Sequence, residues 1–132
     1  MSSNATRGAY FKAKTRKWLL TQGWQVADLE IVRWVFTPKG RLGAKRDQFG
    51  ADLLAMRSTG LLFVQVKGGK QAAGQGQFPS AQREFQRYDW PTTAVRLAII
   101  AWAPRAREPR IIDVPISNGP AGNTGNSAGG VR

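Results

Sequence analysis

A short polar motif inside an apolar hairpin constrains the fold of this chain more than any other feature of its sequence. Between residues 47 and 69, two apolar segments expected to form β-strands are separated by a Ser-Thr-Gly turn. Side chains alternate across a strand, so Gln65 and Lys67 must share one face while Val64 and Val66 occupy the other. Burying an ammonium group is costly unless an anion lies near it. The pattern therefore predicts that a carboxylate approaches Lys67.

Asp52 is the acid that the hairpin is expected to bring to this motif. A hairpin loop at residues 58–61 would place Asp52 opposite Lys67 and Leu54 opposite Gln65. Opposed residues of an antiparallel pair share a face, so Asp52, Gln65 and Lys67 are expected to form one polar cluster. Such a cluster could also bind a metal ion. A slip of one residue would move Asp52 to the other face, so the prediction depends on the length of the loop.

Histidine and cysteine are both absent from the sequence. Their absence excludes histidine general bases, zinc sites built on histidine and thiolate nucleophiles. Any hydrolytic chemistry must rely on carboxylates, Lys, Tyr, Ser or a hard metal ion bound through oxygen, which favours Mg²⁺ or Mn²⁺. The carboxylates available to such an ion are Asp28, Glu30, Asp47, Asp52, Glu84, Asp89, Glu108 and Asp113.

Basic residues outnumber acidic ones by 20 to 8, which gives a net charge of +12. A field of this sign attracts polyanions, and nucleic acid is the commonest of these in a cell. An anionic membrane would favour one basic amphipathic helix or tail, whereas these residues are spread along the chain. A merely cationic soluble surface is the remaining alternative. The residues expected to contact DNA are Arg7, Lys12, Lys14, Arg33, Lys39, Arg41, Lys45, Arg46 and Lys70.

The length of 132 residues and the order of the patterns predict one α/β domain at residues 1–116, with a mixed central β-sheet flanked by helices. The expected order is helix, three strands, helix, two strands. A basic, glycine-rich segment at 37–50 is expected to be a flexible loop. Residues 117–132 are rich in Gly, Asn and Ser and are expected to form a flexible tail. Outside the hairpin, helices are predicted at 7–22 and 80–90, and strands at 24–36, 93–102 and, at the sheet edge, 110–115.

The five tryptophans could suggest platforms on which bases stack. Four of them fall within the predicted helix and strands and are therefore assigned to the core. Trp90, at the end of a predicted helix, is compatible with either role. The four assigned to the core are Trp18, Trp24, Trp34 and Trp102.

The longest apolar run, at residues 97–103, is far shorter than a membrane span. The segment MSSNATRGAY contains no apolar signal region, so a cytoplasmic location and no membrane partner are expected. The glycines at 68–76 lack the spacing of a P-loop or a dinucleotide fingerprint, so no nucleotide cofactor is expected.

The segment RGAYFKAKTRKWLLTQGW, the DQFGAD sequence, and Asp52 followed by Gln65-Val66-Lys67 occur together in one basic chain. This combination resembles the PD-(D/E)xK nuclease superfamily, and within it the archaeal-type Holliday junction resolvases and their phage-encoded relatives, over roughly residues 7–103. The resemblance implies a restriction-endonuclease-like fold and a Mg²⁺-dependent endonuclease that hydrolyses phosphodiesters in branched DNA during recombination and repair. It also implies a homodimer, because resolving a four-way junction takes two paired cuts. A phage-encoded relative would act inside a host cell.

Three residues match the motif of this superfamily position by position. Asp52 matches the metal-binding aspartate, Gln65 occupies the (D/E) position, and Lys67 matches the motif lysine. The resemblance implies one or two Mg²⁺ ions held by Asp52, Gln65 and the backbone carbonyl of Val66. Lys67 would then orient or help to deprotonate the attacking water and stabilise negative charge on the phosphate.

Two positions depart from the pattern of the resolvases. Gln65 offers an oxygen ligand without charge, so the metal affinity is expected to be weaker. Resolvases usually carry a glutamate in the first helix, four residues after the RG or KG pair, where this chain has Lys12. Glu30 or Asp47 is therefore expected to supply a further carboxylate to the metal. The alternatives are a surface acid at Glu30 and a turn residue or partner of Arg46 at Asp47.

Three functions are consistent with these residues. The first is resolution of four-way DNA junctions. The second is cleavage of another structured nucleic acid, such as a flap, mismatched DNA or RNA. The third is a DNA-binding module whose carboxylate-poor site has lost catalysis. All three predict that the affinity for nucleic acid falls steeply as salt is added.

Overall fold

The computed structural model describes residues 4–46 and 48–116. An α-helix precedes five β-strands, and a second helix leads into two further strands. The elements of the described ranges are α1 (Asn4–Thr21), β1 (Gln25–Asp28), β2 (Ile31–Thr37), β3 (Gly40–Arg46), β4 (Leu53–Arg57), β5 (Gly60–Gly68), a short 3₁₀ turn (Lys70–Ala72), α2 (Pro79–Gln86), β6 (Val95–Trp102) and β7 (Arg110–Val114).

Five of these strands form one mixed sheet in the order β1-β4-β5-β6-β7. The central pair, β5 and β6, is parallel, and the other neighbouring pairs are antiparallel. Parallel strands need a crossover connection, and α2 lies in that connection. The predicted α/β class with a mixed sheet is therefore confirmed, and β7 lies at the sheet edge as expected.

The predicted order, with three strands between the helices, is wrong because five strands lie there. The segment 24–36 contains β1 and most of β2, and the segment expected to be a basic loop contains β3. The strand β3 was missed because its glycines were interpreted as a loop signal. Gly40 instead closes the tight turn between β2 and β3 with a φ of +123°, a conformation that favours glycine. The strands β2 and β3 form a separate two-stranded sheet, called here the ribbon.

Both helices differ in extent from the prediction. α1 begins three residues earlier, at Asn4, and ends at Thr21, shortly before Gly23 with its φ of +90°. α2 is shorter than expected, from Pro79 to Gln86, with proline in its first turn. It ends early because the chain folds back, so that the indole N–H of Trp90 donates to the carbonyl of Phe85 at 2.8 Å.

The core consists of two layers, one on each face of the sheet. The layer beneath α1 includes Leu19, Trp24, Leu53, Val64 and Trp102. The layer beneath α2 includes Ala51, Phe85, Trp90, Ile99 and Ile112. The side chains of β5 alternate between these layers: Val64 and Val66 pack towards α1, and Phe63 packs towards α2.

The tryptophans divide differently from the prediction. Trp24, Trp90 and Trp102 are buried and Trp18 is half-buried. Trp34, which was assigned to the core, is 52% exposed on the ribbon. The assignment was wrong because a two-stranded ribbon has no second layer to cover this face.

Within residues 4–46 and 48–116, no helix has both the length and the apolar character needed to cross a membrane. The predicted tail, 117–132, lies outside the described residues.

Candidate active site at the end of strand β5

The β4–β5 hairpin has a tighter turn than the predicted one. Ser58 and Thr59 alone connect the strands, so that Arg57 faces Gly60. Gly60 has a φ of +144°, and a Cβ on it would collide with the carbonyl of Ala94, so the turn requires glycine there.

The predicted register was wrong by two residues as a result of this turn. Leu54 faces Phe63 instead of Gln65, and Leu53 faces Val64. Because the side-chain period of a strand is two, a shift of two residues leaves every side chain on the face that was predicted for it.

Asp52 lies immediately before β4 and is bound to the backbone on both sides of Gln65. Its Oδ2 accepts the N–H of Val66 at 2.8 Å, and its own N–H donates to the carbonyl of Val64, also at 2.8 Å. The side chain is half-buried. The structure therefore holds the carboxylate of Asp52 against the Gln-x-Lys segment through its backbone.

Gln65 is buried, with 6% of its surface exposed. Its Nε2 donates to the carbonyl of Gly50 at 2.9 Å. Its Oε1 is closed to solvent and has no hydrogen-bond partner among the described residues. An unsatisfied buried acceptor costs about 1–3 kcal/mol, and a hard cation is one group that would satisfy it.

Lys12 of α1 binds two carboxylates, one from the last residue of β1 and one from the connection between β1 and β2. Its Nζ lies 2.9 Å from Oδ2 of Asp28 and 2.6 Å from Oε1 of Glu30. The N–H of Glu30 also donates to Oδ1 of Asp28 at 2.9 Å, so the two acids are held together.

These contacts shift two pKa values. Burial alone would lower the pKa of Lys12, but hydrogen bonds to Glu30 and Asp28 and their negative charges outweigh it and raise the pKa above its usual value. Burial alone would raise the pKa of Asp28. The hydrogen bonds from Lys12 and from the N–H of Glu30, with the charges of Lys12 and Arg16, instead hold that pKa below its usual value.

This ion-pair cluster is connected to Asp52 through the backbone. The N–H of Leu29 donates to the carbonyl of Asp52 at 2.9 Å, and Glu30 is the next residue. Glu30, one of the two expected additional ligands, thus follows a residue that is hydrogen-bonded to Asp52, but its carboxylate is bound by Lys12. The other expected ligand, Asp47, lies outside the described residues.

The N-terminal part of α1 packs on the end of β5. The ring of Phe11 occupies the space that a Cβ on Gly68 would need. Gly68 follows Lys67, which is half-buried. This contact brings the helix that carries Lys12 to the strand end that carries the polar motif.

The oxygen donors at this strand end are of the kind that Mg²⁺ prefers. The side chain of Asp52 is hydrogen-bonded to the backbone of Val66, and the neighbouring Gln65 has an unsatisfied Oε1. Within the described part of the chain, no group of three or more His, Cys, Asp or Glu residues could hold a metal ion. The donors therefore fit a hard cation by type, and Asp52 is the one among them that brings a formal charge.

The basic residues expected to contact DNA occupy different parts of the molecule. Lys12 is engaged with its two acids, and Lys14 donates to the carbonyl of Ala106 at 3.1 Å and lies 4.5 Å from the ring centre of Trp102. The side chains of Arg33, Lys45 and Arg46 lie outside the described part of the structure. The exposed members are Arg7 on α1, Lys39 and Arg41 on the ribbon, and Lys70 after β5.

Two contributors to the site were not predicted. Gly50, whose carbonyl holds Gln65, was identified only as part of the DQFGAD sequence, and a carbonyl leaves no sequence signal. Asp28 was counted among the available acids without a role. Its position two residues before Glu30 could have indicated an Asx turn that presents both acids together.

Comparison with known proteins gives no match for this chain, either among protein-family models or among curated proteins. The likeness to PD-(D/E)xK nucleases thus rests on the residues themselves.

Proposed function

We propose that this chain is a metal-dependent endonuclease that cleaves branched DNA, with the four-way Holliday junction as its substrate. Asp52, Gln65 and Lys67 form its active site, and the domain is a restriction-endonuclease-like nuclease that acts as a homodimer. The observation that carries the proposal is the bond from the N–H of Val66 to Oδ2 of Asp52, at 2.8 Å. It attaches an acid from a separate segment to the one residue between Gln65 and Lys67.

Asp52, the Oε1 of Gln65 and the carbonyl of Val66 would hold Mg²⁺ or Mn²⁺. When bound, such an ion neutralises charge on the phosphate and lowers the pKa of a water ligand. The hydrogen bond that Nε2 of Gln65 donates to the carbonyl of Gly50 fixes the amide, so that its oxygen is left for the cation. The absence of histidine and cysteine is consistent with a centre built on oxygen ligands.

Lys67 contributes a positive charge two residues beyond Gln65. An ammonium group beside the scissile phosphate stabilises the negative charge that develops on its oxygens, and it orients the attacking water. The net charge of +12 draws the DNA backbone towards the protein and accounts for affinity independently of the catalytic step.

The test is cleavage of a labelled four-way junction in Mg²⁺ and in Mn²⁺, compared with flap, mismatched, linear and single-stranded DNA and with RNA. Asp52→Asn and Lys67→Ala are expected to reduce the cleavage rate by about 100-fold or more. Both variants should still bind the junction. The matched control is Asp113→Asn, because Asp113 is an exposed acid on the edge strand β7 that pairs with Arg96. Cleavage that survives in either site variant would refute the assigned site.

A second candidate function is a DNA-binding module without catalysis. The observation that favours it is the ion pair between Lys12 and Glu30. The resemblance implies a glutamate at the position of Lys12, whereas the lysine found there neutralises an acid. This function predicts salt-sensitive binding to junctions and no cleavage of any of these substrates in either metal. If Gln65→Glu then creates cleavage, the binding module retains the architecture of a nuclease centre.

A further inference from the structure

The ribbon formed by β2 and β3 presents an aromatic and basic face that the proposed active site does not use. Its register places Trp34 opposite Gly43 and Phe36 opposite Arg41, so these four residues share one face. Trp34 is 52% exposed and Phe36 is 81% exposed. Large apolar rings are seldom left so open on a strand unless they meet a partner.

The ring of Trp34 is held in place by two residues of β3. A Cβ on Gly43 would lie 2.7 Å from Cζ3 of Trp34, so the ring lies directly over the glycine of the neighbouring strand. The guanidinium carbon of Arg41 lies 4.5 Å from the ring centre of Trp34, within the range of a cation–π contact. The indole is therefore pre-organised across the ribbon, and it remains open to solvent.

The charge of the ribbon identifies the partner. Residues 31–46 contain five Lys or Arg and no acid. Exposed rings beside positively charged residues match single-stranded nucleic acid, whose bases stack on aromatic side chains while its phosphates contact Lys and Arg. A second copy of the chain would bring an equally positive ribbon to this face, and like charges at an interface oppose association.

We propose that the ribbon is a stacking platform for unpaired bases, with Trp34 and Phe36 under successive bases and Lys39 and Arg41 at the phosphates. This proposal deepens the proposed function and rests on one part of it, namely that the chain binds nucleic acid. It names a feature of the substrate, bases that are already unstacked at a branch or in a single strand.

The probe for the test is a fluorescently labelled 20-nucleotide oligo(dT), bound by the full chain and followed by anisotropy over a series of NaCl concentrations. Trp34→Ala and Phe36→Ala are each expected to weaken binding by about 5- to 100-fold at every salt concentration. Because stacking releases no counterions, the slope of log K against log salt should not change. Lys39→Gln should instead reduce that slope by about 0.7, the value for one phosphate contact on a single strand.

Two further variants distinguish stacking on the ribbon from the effect of removing any exposed aromatic ring. Tyr10→Ala removes a ring that is 57% exposed on α1, and it should leave the affinity for oligo(dT) unchanged. Trp34→Phe should retain binding within about threefold, because any aromatic face can stack. It should also abolish the quenching of tryptophan fluorescence on binding, since the other four tryptophans are buried or half-buried.

Three results would overturn the proposal. The first is an affinity for oligo(dT) that is unaffected by Trp34→Ala and Phe36→Ala, and the second is an equal loss in Tyr10→Ala. The third is a dimer in sedimentation velocity that dissociates in Trp34→Ala, because the ribbon would then be an interface between copies. Unchanged binding in the ribbon variants, with cleavage still lost in Asp52→Asn, would refute the platform and leave the nuclease intact. If the ribbon variants bind oligo(dT) more weakly and the wild-type chain cleaves none of the substrates, the platform is supported and the nuclease is refuted.

Discussion

Lys12 binds the carboxylates of two acids, Asp28 and Glu30, just before the ribbon begins. Its side chain is 20% exposed and that of Glu30 is 21% exposed, so both charges are largely removed from water. Without Lys12, the carboxylates of Asp28 and Glu30 would face each other with no cation between them. Removing one partner of such an ion pair destabilises the fold, because it leaves a largely buried charge without compensation.

We therefore expect Lys12→Met to lower the free energy of unfolding by about 1–2 kcal/mol at neutral pH. The pKa of Asp28 is lowered in the fold, so its contribution is complete above its usual value of 3.8 and is lost as the pH falls through the lower folded value. The pKa of Lys12 is raised, so its contribution is complete below 10.5 and is lost as the pH rises through the higher folded value.

Urea denaturation should give a constant difference in the free energy of unfolding between wild type and variant from about pH 5 to 9, and a smaller difference below about pH 3.8. Lys17→Met, at an exposed lysine of the same helix, is the control, and an equal effect there would contradict the role of the cluster.

Gln65→Glu tests the metal site without using activity. A carboxylate at this buried position adds a negative charge close to Asp52, which should destabilise the metal-free protein and raise its affinity for a divalent cation. Added Mg²⁺ or Mn²⁺ should therefore raise the melting temperature of the variant more than that of the wild type. Gln22→Glu, at an exposed glutamine just after α1, is the control. An equal response to metal in all three proteins would argue against coordination at residue 65.

The packing of α1 against β5 depends on the absence of a side chain at Gly68. We expect Gly68→Ala to destabilise the fold by about 1–3 kcal/mol, because its methyl group would collide with the ring of Phe11. The readout is again denaturation in urea. Gly76→Ala is the matched control, since a Cβ at Gly76 meets nothing within 4 Å. If the two variants are equally stable, α1 can shift to accommodate the methyl group, and the proposed position of Lys12 beside the strand end is not fixed by this contact.

The sequence was sufficient to predict the elements whose periodicity is regular. The central hairpin, both helices and the parallel strand β6 were recognisable from apolar alternation and from proline and glycine boundaries. The ribbon was not, because its glycines resembled a loop and its strands carry charge instead of an apolar face. The register was missed for a related reason: Gly60 was counted within the turn, whereas it begins β5 at positive φ.

For the candidate site, the sequence motif predicts residues but not the contacts between them. The motif identified Asp52, Gln65 and Lys67 together. The route by which Asp52 reaches the strand could not be predicted, because it passes through the N–H of Val66 instead of an opposed side chain. The two partners of Lys12 could not be predicted either, since ion pairs between residues distant in sequence leave no local pattern.

At the scale of the whole molecule, the candidate site lies where the carboxyl end of a central parallel strand meets a helix. β5 and β6 are the two parallel strands of the sheet, and the polar motif lies in the last four residues of β5. Ligands of open α/β sheets characteristically bind outside the carboxyl ends of such strands. The ribbon leaves the sheet from the connection that also carries Glu30, so it begins beside the site.

The positive charge of the molecule is largely uncompensated. Even if each of the 8 acids neutralised one of the 20 basic residues, 12 positive charges would remain. We therefore expect binding to a four-way junction to weaken steeply with salt, with a slope of log K against log salt of about −4 or steeper. On duplex DNA this corresponds to about four or more phosphate contacts, each releasing its counterion. Anisotropy titrations from about 50 to 400 mM NaCl measure the slope, and the variant Lys39→Gln/Arg41→Gln should make it shallower by about two. A slope shallower than about −2 for the wild type would show that the net charge does not act through phosphate contacts, and it would remove the electrostatic support for a nucleic-acid partner.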